Sequence, residues 1–319
     1  MIVNLKKEDF VVSEDGVPQT IEVFSPGESA TIPRSVVLVI DCSPPQAPYM
    51  KKSIEAAKIL VDKLGPKDKM AIATTDFQLR SDFTTDKTLL KQALDSLDTI
   101  KNYNSEFEVL LAVLNEMFDE KGRQRIIIIQ STGVHVMWLK PDQDSPYPVS
   151  YSTRYNSGMK YTGEQSMSKF GFSEVKEAIE RSQATIYSVI PGIRFLGLSE
   201  KEQLARARIT LAELDQAFGW KNLPFLLKTQ LYAEAEAKTA GQTAMFKVAE
   251  LSGGNAGFIE KPEDAENIYS DIFTVIKNRY VIGYYPTNQS RDGKPRNVKI
   301  EVRSHPEYAI TGRQAYFPK

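Results

Sequence analysis

The chain has 319 residues, of which 41% are hydrophobic and 25% charged, and its formal net charge is −1. This near-neutral balance gives no support for nucleic-acid binding, which needs a basic field. No run approaches the roughly 18 apolar residues that span a bilayer, and the first ten residues lack the apolar stretch of a signal peptide. One cysteine, Cys42, and two histidines, His135 and His305, exclude an intramolecular disulfide and a cysteine-rich or multi-histidine metal centre.

The N-terminal segment over 9–24 carries two β-rich stretches on either side of Glu14-Asp15-Gly16. An Asp-Gly pair between such flanks predicts a hairpin. At the other end of the chain, 280–285 and 297–302 are predicted as strands around a turn segment over 288–295, with a short strand near 314–317. We expect the two termini to build one small antiparallel β module.

Between the termini, strand and helix patterns alternate. Continuous apolar runs predict buried strands, and apolar residues at helical spacing predict the helices between them. The predicted strands are 36–40, 70–74, 125–130 and 185–190, and the predicted helices are 49–64, 88–97, 107–118 and 262–279. Repeated βα units of this kind predict a doubly wound, mostly parallel sheet in an α/β fold.

Two insertions interrupt this alternation. The stretch over 141–172 is rich in Ser, Tyr, Pro and Gly and is predicted to be a long loop at the carboxyl end of a strand. The stretch over 198–251 contains two helical patterns, 200–218 and 224–249, and predicts a helical hairpin. The predicted division of the chain is 1–33 and 280–319 for the β module and 34–279 for the α/β domain.

The run SVVLVIDCSPP over 35–45 is the most informative stretch for function. Five apolar residues predict a strand buried on both faces, so that Asp41 and Ser43 lie at its carboxyl end, where open α/β sheets bind their ligands. An Asp-x-Ser-x-Ser pattern there would supply hard oxygen ligands for Mg²⁺ or a similar cation. Here the fifth position is Pro45, which has no side-chain oxygen.

With Asp41-x-Ser43 after a buried strand, the chain resembles a von Willebrand factor A-type domain. It further resembles bacterial proteins related to this family and first noted in acidobacteria, and the similarity covers nearly the whole chain apart from the two insertions. The residues that match the patterns of these proteins are Asp9-Phe10, Glu14-Asp15-Gly16, Pro18-Gln19, Ile21, Phe24, Phe83-Thr84, Asp86, Leu89, the segment 248–254, Tyr280, 282–288, 292–294, Arg296 and Val298.

The resemblance implies a Rossmann-like fold and a metal-ion-dependent adhesion site, built from three loops at the carboxyl edge of the sheet. Asp41 and Ser43 match its first loop, and Ser105 takes the place of the usual second-loop Thr. Pro45 replaces a Ser, and Thr132 replaces the third-loop Asp, so the site is degenerate. We therefore expect no tightly bound cofactor, with Mg²⁺ as the only candidate.

The leading hypothesis is a non-enzymatic protein-binding, adhesion or scaffolding module, secreted or periplasmic as the resemblance implies. Its partner would be a protein, docked at the surface formed by Asp41, Ser43, Ser105, Thr132, His135, Tyr151 and Tyr155. One alternative is a divalent-cation-dependent adhesion domain whose metal site is completed by a carboxylate of the partner. Another is a hydrolase that uses Asp41, Ser43 and His135.

Overall fold

The computed structural model describes residues 2, 4–26, 32–99, 105–118, 120–146, 168–218 and 227–318. Its largest element is a six-stranded sheet with the strand order β6-β5-β4-β7-β8-β9. Five strands run parallel, and β6 at one edge is antiparallel to β5. The strands are β4 (Arg34–Ile40), β5 (Lys69–Thr74), β6 (Gln78–Thr84), β7 (Gln124–Gln130), β8 (Thr185–Pro191) and β9 (Ala256–Ile259).

Helices cover both faces of this sheet, as a doubly wound fold requires. They are α1 (Ala47–Lys63), α2 (Lys87–Asp95), α3 (Glu106–Glu116), α4 (Phe172–Ser182), α5 (Glu200–Phe218), α6 (Leu227–Ser252) and α7 (Ala265–Asn278). Side chains of β4 alternate between two cores: Val37 and Val39 pack with α3, α4 and α6, whereas Leu38 and Ile40 pack with α1, α2 and α7. None of the described helices has the length and apolarity needed to cross a membrane.

The two termini form the small antiparallel module. Its strands are β1 (Phe10–Glu14), β2 (Val17–Gln19), β3 (Ile21–Ser25), β10 (Val281–Tyr284), β11 (Arg296–Val302) and β12 (Ala315–Tyr316). They make two sheets, one of four strands in the order β12-β11-β1-β2 and one in which β10 pairs with β3. The hairpin at Asp15-Gly16 is present, and both residues have positive φ, at 48° and 82°. Each of the two sheets contains strands from both ends of the chain.

The fold class predicted from the sequence is confirmed, with additions. The two strands predicted on either side of 288–295 do not pair with each other. Instead, β10 pairs with β3 and β11 pairs with β1. The edge strands β6 and β9 and the helix α4 were not predicted. Residues 134–138 form a 3-10 helix that packs against α6.

The segment predicted as a helical hairpin contains α5 and α6, which pack together through Ala207, Leu231 and Ala235. The second half of α6 does more than extend the hairpin. Its residues Ala244 and Val248 belong to the main core and cover one face of the large sheet. The long helix thus reaches from the insertion to the sheet.

Candidate functional site

Three loops meet where β4, β5 and β7 end. The backbone hydrogen bonds of the sheet continue past the strand ends: Asp41 N–H donates to the Gln130 carbonyl at 2.9 Å, and Thr75 N–H donates to the Ile40 carbonyl at 3.2 Å. Ser131 N–H donates to the carbonyl of Val189 at 3.1 Å. Because the parallel strands are in register, the first residue after each strand lies beside its neighbours. Asp41, Thr75 and Ser131 are consequently brought together.

The Asp41 carboxylate is the centre of this cluster and is only 1% exposed. Its Oδ1 accepts hydrogen bonds from Ser43 N–H at 2.9 Å and from the Thr75 hydroxyl at 3.4 Å. Its Oδ2 accepts from the Ser131 hydroxyl at 3.0 Å. Both oxygens of the one acid that matches the first-loop pattern are therefore engaged by groups of the chain itself.

The surroundings of Asp41 make its ionised form less favourable than it is in water. Burial raises the pKa of this carboxyl group above its ordinary value, and the negative charge of Glu106 raises it further. Hydrogen bonds from Ser43 and Ser131 act in the opposite direction. The site therefore contains two neighbouring acids, of which sequence reasoning identified only one.

Glu106 is fully buried in the first turn of α3 and is paired with His135. Its Oε1 accepts a hydrogen bond from His135 N–H at 2.9 Å, and its Oε2 contacts the ring Nδ1 of the same residue. Burial disfavours the charged imidazolium, but the charges of Glu106 and Asp41 raise the pKa of His135. The ring also lies against Trp138, with 4.0 Å between the ring centroids.

The loop after β7 is held against α6 by two glycines. Gly133 has a φ of 75°, and a Cβ atom placed on it would lie 2.3 Å from the carbonyl oxygen of Gly241. A Cβ on Gly241 would lie 2.7 Å from the carbonyl oxygen of Thr132. Gly133 N–H donates to the Ser131 hydroxyl at 3.2 Å, the same hydroxyl that contacts Asp41. Close packing between α6 and the loop after β7 therefore helps to position the Ser131 hydroxyl that contacts Asp41.

The other residues predicted for the site have different positions. Ser105 is buried at the start of α3, and its N–H donates to the Thr75 carbonyl at 3.0 Å. The hydroxyl that reaches Asp41 from this side is that of Thr75, which the sequence did not single out. Pro45 lies exposed in a short 3-10 helix, and Thr132 is half-buried. Tyr151 and Tyr155 lie outside the described residues.

A catalytic arrangement of Asp41, Ser43 and His135 needs contact between the serine and the histidine. Within the described residues, no hydrogen bond joins Ser43 to His135, whose Nδ1 faces Glu106. The backbone N–H of Ser43 instead donates to Asp41. Burial raises the pKa of the neighbouring Cys42 thiol to about 12, which is the opposite of what a reactive thiolate needs.

The donor set does not fit a resident divalent cation. Mg²⁺ dehydrates reluctantly and binds through one or two carboxylates that must turn their oxygens toward it. The oxygens of Asp41 and Glu106 are both engaged, while Pro45 lacks a donor and Thr132 lacks a carboxylate. In the part of the chain that the structure describes, no group of three or more His, Cys, Asp or Glu side chains is placed to hold a metal ion.

No protein-family model matches the chain, and no curated protein matches it in sequence. Among solved structures, the von Willebrand factor domain of the type V pili tip protein Mfa5 from Porphyromonas gingivalis is 12% identical, with a TM-score of 0.46, over 78% of this chain and 96% of that one. BatB, a conserved hypothetical protein from Bacteroides thetaiotaomicron, is also 12% identical, with a TM-score of 0.42, over 77% of this chain and 100% of that one.

A third similar structure is proximal thread matrix protein 1 from the mussel byssus, described with zinc in its metal-ion-dependent adhesion site. It is 14% identical, with a TM-score of 0.41, over 82% of this chain and 49% of that one, so this chain matches about half of that protein. The similarity of these proteins to this chain is one of fold.

Proposed function

We propose that this chain is a non-enzymatic protein-binding module of the von Willebrand A type, without a tightly bound metal. Its partner is a protein that docks at the carboxyl edge of the large sheet, around Asp41, Ser43, Ser105, Thr132 and His135. As the sequence resemblance implies, the module acts outside the cytoplasm, in a secreted or periplasmic protein. The proposal is supported by the geometry of the loops at this edge.

The polar side chains of the site form hydrogen bonds with groups of the chain itself. Asp41 is held by three hydrogen bonds, and Glu106 by His135. Such a network fixes the loops that carry it, which favours a preformed binding surface. Within the described residues, Ser43 makes no hydrogen bond to His135, so the hydrolase alternative that uses these two residues has less support.

The observation that carries the proposal is the conformation of Phe77, two residues after Thr75. Its φ is 62°, a left-handed conformation that is rare for a bulky residue, and its side chain is 48% exposed. A left-handed backbone at a bulky residue is costly for stability and is typical of functional sites. Pro44 and Pro45 are also exposed, on the loop after Asp41.

The rim of the site is therefore apolar and stiff, while its floor is polar and buried. Aromatic side chains at the centre of an interface contribute strongly to binding because they bury a large area with few rotatable bonds. Proline loses little conformational freedom on binding for the same reason. A protein partner matches this surface better than a small polar substrate does.

The test compares Phe77→Ala with Leu89→Ala, a control on α2 where the side chain is 52% exposed. A partner is first identified by crosslinking from a photoreactive residue at position 77, purified, and then titrated against both variants. We expect Phe77→Ala to weaken the binding about tenfold or more, and Leu89→Ala to leave it unchanged. Equal binding by the wild type and Phe77→Ala would place the interface elsewhere.

A further inference from the structure

Two buried acids, Asp41 and Glu106, lie in the floor of the site, close enough for the charge of Glu106 to raise the pKa of Asp41. Asp41 is 1% exposed and Glu106 is fully buried. A buried carboxylate is strongly destabilising unless a cation or several hydrogen bonds compensate for it. A site built to hold a metal solves this problem with the ion itself. This chain needs another solution, because its donor set does not fit an ion.

His135 provides that solution from the loop after β7. It reaches Glu106 through two separate groups, the backbone N–H at 2.9 Å to Oε1 and the ring Nδ1 to Oε2. Contact between the His135 and Trp138 rings, and the 3-10 helix that carries both, fix the direction of the imidazole. Its side chain is only 14% exposed, so the pair is largely shielded from solvent.

The remaining acid is compensated in a different way. Asp41 accepts from Ser43 N–H, the Thr75 hydroxyl and the Ser131 hydroxyl, which together cover both of its oxygens. A cation that entered here would have to break these bonds and separate His135 from Glu106. It would gain little in return, because Thr132 replaces the usual third-loop carboxylate and Pro45 offers no oxygen.

We propose that the His135–Glu106 pair takes the place of the metal ion in this site, so that the three loops are held together by hydrogen bonds within the chain and not by an ion. His135 then prevents a cation from binding to the carboxylates of Asp41 and Glu106. Replacing its side chain leaves Glu106 with only the backbone N–H of residue 135 as a partner and frees Oε2. Carboxylate oxygens are ligands that Mg²⁺ and Mn²⁺ prefer. The inference does not depend on the proposed partner binding, so either can fail alone.

The experiment measures the effect of Mn²⁺ and Mg²⁺ on the melting temperature of the wild type, His135→Ala and His305→Ala. His305 is a matched control: it is also paired with an acid, Glu307, at 3.0 Å, and stacks on an aromatic ring, Tyr308. We expect no shift for the wild type or His305→Ala. For His135→Ala we expect a rise of about 5 °C at 10 mM Mn²⁺, the size given by a Kd of about 0.1 mM.

Two further variants make the result specific. Adding Glu106→Gln to His135→Ala should abolish the rise, since one of the two carboxylates is then neutral. His135→Leu, which is closer to histidine in size and has no side-chain donor, should behave as His135→Ala and serves if that variant does not fold. Stabilisation of the wild type by Mn²⁺ would overturn the proposal. So would the absence of a metal-dependent rise in both His135 variants.

Discussion

The Tyr284 hydroxyl donates a hydrogen bond of 2.8 Å to the Glu14 carboxylate, between residues 270 positions apart in the chain. The same oxygen of Glu14 accepts from the Tyr316 hydroxyl at 2.7 Å. Glu14 lies on β1, Tyr284 on β10 and Tyr316 on β12, so one buried carboxylate joins both sheets of the small module. Burial and the bond to Glu14 raise the pKa of Tyr316 to about 12, which keeps its hydroxyl a donor at neutral pH.

Replacing Tyr284 by Phe should destabilise the module, because Glu14 then loses one of its two donors while remaining buried. A hydrogen bond to a charged group contributes roughly 1.5–3 kcal/mol, and we expect a loss of that size in the free energy of unfolding. The measurement is urea denaturation followed by circular dichroism. Tyr285→Phe is the control, since Tyr285 is 81% exposed and should tolerate the change. Equal losses in both variants would contradict the role given to Glu14.

The local features of this module could be predicted from the sequence, but its long-range pairing could not. The Asp15-Gly16 turn can be recognised because few residues adopt positive φ easily. The pairing of β10 with β3 depends on contacts between segments about 260 residues apart, which no local pattern encodes. The edge strands β6 and β9 were missed for another reason. Exposed β6 has no apolar run, and β9 has only four residues.

The site was predictable to a similar extent. A buried strand followed by an acid located Asp41, and the alternation of strands and helices indicated which loops would lie near it. The role of Glu106 could not be predicted, because an acid in the first turn of a helix is usually exposed and stabilised by the helix dipole. Its complete burial and its contact with His135 follow from tertiary packing. Thr75 has a weaker signal, as the residue that follows a predicted strand.

Close packing between Gly133 and α6 predicts a sharp difference between two glycine substitutions. Gly133 and Gly293 have nearly equal φ values, 75° and 72°, but only Gly133 has a neighbour within 4 Å of an added Cβ. Alanine at either position bears the conformational cost of a left-handed residue, about 1–2 kcal/mol. Gly133→Ala also forces α6 away from the loop, which should cost roughly a further 1–3 kcal/mol. The difference between the unfolding free energies of the two variants measures the cost of moving α6 away from the loop.

The same pair of variants tests whether α6 positions the site. Gly133→Ala should displace the loop that carries Ser131, and thereby weaken the hydrogen bond to Asp41. Partner binding should then decline in Gly133→Ala and persist in Gly293→Ala under conditions where both remain folded. Similar stability of the two variants would show that the loop can move without disturbing α6.

Glu180 on α4 is a buried acid, 7% exposed, outside the site. Burial raises its pKa above the ordinary value; the positive charge of Lys176 opposes this shift, and the negative charge of Asp144 adds to it. Because the folded state holds this proton more tightly than the unfolded state, the resulting stability is complete below the unfolded pKa. It is lost as the pH rises through the folded pKa. At neutral pH the buried carboxylate is therefore unfavourable.

Glu180→Gln removes the charge at every pH, so we expect the variant to be more stable than the wild type at pH 7. Their difference should shrink as the pH falls toward 4, where the wild-type carboxyl group is protonated. Glu177→Gln on the same helix is the control, because Glu177 is 51% exposed and pairs with Arg181 at 2.7 Å. Its loss should cost at most about 0.5 kcal/mol at neutral pH, an effect of opposite sign. The measurement is the melting temperature of the wild type and the two variants between pH 4 and 8. A Glu180→Gln variant that is less stable than the wild type at pH 7 would show that the Glu180 carboxylate is favourably paired.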